Sequence, residues 1–126
     1  MAQQRESKLI DEPFSNILKA KGWNVENTHG NQYQSGFPDK YITHPKYSPR
    51  WVEYKVIEND GHVKYTEAQK DTFMLWASHN VPIFIIAARD LRGASNYALR
   101  ERLYKKLFEE PNVLFLFDRR LHQLLY

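Results

Sequence analysis

Apolar residues recur with two different periods along this chain, and each change of period marks a new element. Ile10, Phe14, Ile17 and Leu18 stand at i, i+4, i+7 and i+8, the stripe of an amphipathic helix. Pro13 suits a first helical turn with Asp11 or Glu12 near the cap, and Gly22 is a natural stop. This predicts a helix over about 12–21; the alternative starts near Glu6 and accepts a kink at Pro13. Gly22-Trp23-Asn24-Val25 then turns the chain into a short strand, and the polar stretch Asn27 to Ser35 reads as a loop.

Lys40-Tyr41-Ile42-Thr43 and Trp51-Val52-Glu53-Tyr54-Lys55 read as strands. The seven residues between them, His44 to Arg50, contain Pro45 and Pro49 and read as a loop. A loop of that length suits an antiparallel hairpin. Further on, Asp60-Gly61 signals a turn, and Thr66 is placed to cap a second helix carrying Phe73, Leu75, Trp76 and Ala77 to about His79. Val81 to Ala88 is an uninterrupted apolar run of strand length, as in a strand buried on both faces. A helix followed by a buried strand is what a crossover onto a mixed sheet needs. Helical spacing returns over 95–109, at Tyr97, Leu99, Leu103, Tyr104, Leu107 and Phe108. Val113 to Phe117 reads as another strand, and Asp118 opens a last short helix to Tyr126. The expected architecture is one α/β domain over residues 1–126, with a central mixed sheet of four or five strands and helices on both sides.

Composition narrows the classes. At 42% hydrophobic residues the chain can build a core, and the signature of disorder is absent. There are no cysteines, which excludes disulfides and thiolate metal sites and suits a reducing compartment. The five histidines show no paired spacing for zinc. No apolar run reaches membrane-spanning length, and the first residues lack the apolar stretch of a signal peptide. The expectation is a soluble cytoplasmic protein with no membrane partner. A net charge of +3 permits a nucleic-acid partner without requiring one.

The candidate chemistry lies between Gly36 and Lys55. Side chains alternate across a strand, so Glu53 and Lys55 share one face and Tyr54 takes the other. The hairpin brings Asp39 beside Glu53 and Lys55. Two carboxylates this close repel one another unless something compensates. A hard divalent cation such as Mg2+ does so, because carboxylate oxygens are its preferred ligands. The lysine is then placed to hold a water or offset charge on a phosphate, the equipment of metal-assisted phosphodiester hydrolysis. The plain alternative is a surface hairpin with a solvated ion pair.

Pro38-Asp39 followed by Glu53-Tyr54-Lys55 resembles the signature of the PD-(D/E)XK nucleases. Gly36-Phe37-Pro38-Asp39, the later Glu-x-Lys and Thr66-Glu67-Ala68-Gln69 look most like the small VRR-NUC and Holliday-junction-resolvase-like branch. The resemblance covers about residues 12–88 and leaves a helix–strand–helix extension over about 94–126. It implies a restriction-endonuclease-like core and a DNA endonuclease dependent on Mg2+ or Mn2+, selective for branched or junction DNA in that branch. It implies metal ligation by Asp39, Glu53, the Tyr54 backbone carbonyl and a glutamate of the first helix. Glu12, ten residues before Gly22, fits the family's interval better than Glu6. Catalytic roles carry over to Asp39, Glu53, Lys55 and an auxiliary Gln69, and junction cleavage implies two sites, hence a homodimer as one arrangement. Contacts to the nucleic-acid backbone are expected from Tyr33 in the polar loop, Arg89 and Arg92 after the apolar strand, and Lys105 and Lys106 on the late helix. Solvated side chains are the ordinary alternative at each of these positions. At the level of function, the alternatives are a non-catalytic nucleic-acid-binding module on the same fold and an interaction protein.

Overall fold

In the computed structural model the described residues are 5–28 and 36–111. The first helix starts earlier than Pro13 suggests. Residues 5–6 are already helical, a π-turn follows at Ser7–Asp11, and α1 runs Glu12–Ala20. The cause lies in hydrogen bonding. Proline has no N–H for the carbonyl four residues back, and here the Leu9 carbonyl accepts instead from the Leu91 N–H at 2.8 Å. The Glu12 N–H reaches the Ser7 carbonyl in the wider π pattern. A distant loop thus repairs the helix, which no local pattern announces.

Four strands follow: β1 (Asn24–Asn27), β2 (Lys40–His44), β3 (Tyr47–Val56) and β4 (Ile83–Ala88). They lie in the order β1-β2-β3-β4. The pairs β1/β2 and β2/β3 are antiparallel, and β3/β4 is parallel. The parallel step is made through α2 (Glu67–Ser78). The loop expected over His44 to Arg50 shrinks to a turn at Pro45-Lys46, with Tyr47 already paired to His44. Pro49 lies within β3 in a stretch of shifted register, with no partner on β2 and ahead of the β4 ladder, which begins at Trp51. A missing N–H is tolerated there.

The sheet is covered on both faces. Val52, Tyr54, Phe84, Ile86 and Ile42 pack with Phe14 and Leu18 of α1 and with Leu103 of α3 (Tyr97–Lys105). On the other face Ile83, Ile85 and Ala87 pack with Phe73 of α2 and with Ile57 and Val63. All six residues of β4 are buried, as the apolar run predicts. Short 3-10 turns at Ala94–Asn96 and Lys106–Phe108 flank α3, and the Arg50 guanidinium donates to the Leu107 carbonyl, tying this end to β3. The expected strand over 113–117, the last helix and Tyr33 fall outside the described residues. Among the described residues no helix is long and apolar enough to cross a membrane.

Candidate metal and phosphate site

Asp39 stands just before β2, and its placement is fixed from three sides. Its backbone N–H donates to Glu53 Oε1 at 3.1 Å. Its Oδ2 accepts from the Tyr54 N–H at 2.8 Å. Its carbonyl accepts from the Thr28 N–H at 3.2 Å and from Thr28 Oγ1 at 3.0 Å. The approach to β2 is held too. Gly36 has φ +86°, and a Cβ there would lie 2.5 Å from the Ala68 carbonyl oxygen. Only glycine lets this segment press against the first turn of α2.

Gln69 joins that turn to β3. Thr66 and Gln69 form a capping box, with Thr66 Oγ1 accepting from the Gln69 N–H at 3.0 Å and Gln69 Oε1 accepting from the Thr66 N–H at 3.0 Å. Gln69 Oε1 also accepts from Lys55 Nζ at 2.9 Å. Two donors on one oxygen fix which way the amide faces. Its Nε2 therefore points at Glu53 Oε2, 2.9 Å away. Lys55 Nζ lies 3.4 Å from the same Glu53 oxygen and sits over the Tyr65 ring at 4.6 Å. The helix cap and the site are thus one hydrogen-bond network.

The third carboxylate is Glu6. Ligand atoms of Glu6, Asp39 and Glu53 all lie within 4.8 Å of one another. With Ser7, Asp11 and Asn27 they line a depression of about 350 Å³. Burial pushes the Glu53 carboxyl well above the usual carboxylate range, and the neighbouring Asp39 charge pushes it further. Lys55 opposes this, and Glu6 adds to it. Three carboxyl groups this close, one of them held well above the usual range, match the needs of a hard divalent cation.

The structure thus brings together Asp39, Glu53, Lys55 and Gln69. It does not bring Glu12 to them. Glu12 is exposed and lines a different depression with Lys8, Asn16 and Arg92. Glu6 and Glu12 flank the π-turn and line different depressions, so the early start of the helix hands the place to Glu6. The signal was present in Ile10, which belongs to the apolar stripe yet precedes the predicted start. Of Tyr54, the N–H engages Asp39, while the side chain enters the opposite core with its hydroxyl 3.1 Å from Ser15 Oγ.

Sequence reasoning also passed over Asp11 and Lys40. Their ion pair, 3.1 Å long, adjoins the depression, and Asp11 accepts from Ser15 Oγ at 2.8 Å. None of Arg89, Arg92, Lys105 and Lys106 lines the acidic depression. Arg89 borders a separate one with Asn96 and Arg102, and Arg92 pairs with Asp90 at 3.0 Å. No family model, curated protein or solved structure matches this chain.

Proposed function

We propose that this protein is a divalent-metal-dependent DNA endonuclease on a restriction-endonuclease-like core. One observation carries the reading. Asp39 and Glu53 are locked together across the hairpin, Glu6 is beside them, and Lys55 is held against them by Gln69. The α/β architecture, with the site at the opening of β2 and on β3, is compatible with the core that the resemblance implies.

Asp39, Glu53 and Glu6 would hold Mg2+ or Mn2+, with the Tyr54 carbonyl added by the resemblance. The bound ion supplies Lewis acidity and a more acidic water. The chain's own part is positioning and charge. Lys55 carries protons and positive charge to the rim of the carboxylate cluster, where a phosphate oxygen gains negative charge as water adds in line to phosphorus and the ester oxygen departs. Gln69 keeps the amine from collapsing wholly onto Glu53, because its Oε1 accepts a hydrogen bond from Lys55 Nζ. The Tyr65 ring braces the amine from another side.

The test is a cleavage panel of branched, single-stranded and linear duplex DNA in Mg2+, Mn2+ and EDTA. Cutting with either ion and none with EDTA is expected, with branched DNA cut best. A folded protein that cuts no member of the panel with either ion overturns the enzymatic reading. If it still shows salt-dependent DNA affinity, the non-catalytic binding module takes its place.

A further inference from the structure

The face of the sheet that carries Glu53 and Lys55 also carries a row of rings that hydrolysis does not use. Ring centroids of Tyr41 and Trp51 are 4.8 Å apart, those of Trp51 and Trp76 4.9 Å, and those of Phe37 and Trp76 4.8 Å. All four residues are only partly buried. Trp51 and Trp76 are braced against the core beneath α2, whereas Tyr41 lies out over β2. Tyr41 and Trp51 are direct partners across β2 and β3, so they share a face. Each stands two residues from a carboxylate of the site, Tyr41 from Asp39 and Trp51 from Glu53. At the rise of an extended chain that is roughly 6.6 Å, within the reach of a single nucleotide.

We propose that this row is a stacking platform for an unpaired base of the strand whose phosphate lies at the acidic site. The substrate class is then DNA with single-stranded or unpaired nucleotides beside the scissile bond. The proposal rests on the hydrolytic reading above and narrows it. Charge decides which part of a nucleotide lies here. Glu26 is the direct partner of Tyr41 on β1 and accepts from Asn24 Nδ2 at 2.8 Å. A carboxylate there repels a phosphate and leaves a neutral base unopposed. Aromatic rings take any base on its π-face. A paired base inside a duplex is already stacked on both sides and presents no free face, so the base that binds is one out of the stack.

The experiment measures binding by fluorescence anisotropy in EDTA and in Ca2+, neither of which depends on turnover. The probes are a single-stranded oligonucleotide, the same oligonucleotide with abasic positions, and a blunt duplex. Wild-type protein binds the intact single strand more tightly than the abasic one, which carries the same phosphates. Tyr41→Ala weakens single-strand binding by about tenfold to a hundredfold, the range for loss of one stacked base. It leaves duplex and abasic affinity unchanged, and Tyr41→Phe restores single-strand binding because the ring suffices. The abasic comparison needs no variant, so it holds even if Tyr41→Ala fails to fold. Equal affinity of wild-type protein for intact and abasic strands, in a preparation that still cuts DNA, overturns the platform and leaves the nuclease standing. If wild-type protein binds no nucleic acid at low salt, the hydrolytic reading itself falls and takes the platform with it.

Discussion

Two faces of one strand make opposite use of the same burial. Glu53 is 1% exposed, Tyr54 1% and Lys55 8%. Tyr54 turns toward α1, where Phe14 meets its ring edge-on at 5.8 Å and its hydroxyl finds Ser15. Tyr54 itself is satisfied by contact and one hydrogen bond. Glu53 and Lys55 turn the other way and bury charge. Their partners are each other, Gln69 and two more carboxylates. Adjacent residues thus divide the work, Tyr54 packing the fold and its neighbours storing an electrostatic conflict that a bound cation would relieve. Stability would favour apolar residues at 53 and 55, so their charges point to function.

If the Tyr54 face is purely structural, truncating its core should cost stability and nothing else. Phe14→Ala is expected to lower unfolding free energy by about 3–5 kcal/mol, with the cleavage rate per folded molecule unchanged. Urea unfolding followed by assay of the folded fraction checks both. A rate loss in fully folded protein would join the two faces that the comparison separates.

The next effect belongs to the other face. Lys55→Met keeps the aliphatic stem and deletes the charge. A loss of about a hundredfold in single-turnover rate is expected, on the scale of removing one transition-state donor. DNA affinity in Ca2+ should fall only as far as one phosphate contact among several. Collapsed affinity with normal cleavage of the bound complex would make Lys55 a docking residue instead.

Smaller is the pH effect, whose sign follows from the raised Glu53 carboxyl. A carboxyl whose folded value lies above its unfolded one stabilises the protein below the ordinary value near 4.5, and that stability is lost as pH rises through the folded value. Metal-free protein should therefore melt at lower temperature as pH increases through this window. Mg2+ binds the ionised form and should restore the loss, so the gap between melting temperatures in Mg2+ and in EDTA widens with pH. Glu53→Gln should flatten both trends. A gap that is constant across pH would remove Glu53 from the cation site. Smallest of all, Tyr54→Phe deletes one buried hydrogen bond and is expected to cost about 1 kcal/mol in chemical denaturation with no change in the Mg2+ response.

The parts of this arrangement that depend on near neighbours could be read from the sequence. Strand parity alone puts Glu53 and Lys55 together and Tyr54 apart, the run Ile83 to Ala88 announces a strand buried on both faces, and Thr66 announces the cap of α2. What escaped depends on distant partners. Pro13 looks like a helix start because nothing local shows that Leu91 will serve the Leu9 carbonyl, and preferring that start over the alternative near Glu6 ranked Glu12 ahead of Glu6. Pro49 looks like a loop because nothing local shows that β4 pairs only from Trp51 onward. Gln69 lies between the cases. Its capping role is local, but its second bond to Glu53 exists only once α2 lies over β3.

Asp39 gives the most direct test, because its carboxylate belongs to the proposed cation site and the backbone bond it accepts there, from the Tyr54 N–H, can be kept by the side-chain oxygen of Asn. Asp39→Asn retains shape and the N–H and removes one negative charge. The measurement is cleavage of the best substrate by wild-type and Asp39→Asn protein in Mg2+, at concentrations where both bind it equally. The account predicts cutting by the wild type that stops in EDTA, and none by the variant despite normal folding and binding. Cutting by Asp39→Asn at the wild-type rate, or cutting that EDTA leaves unchanged, would contradict it.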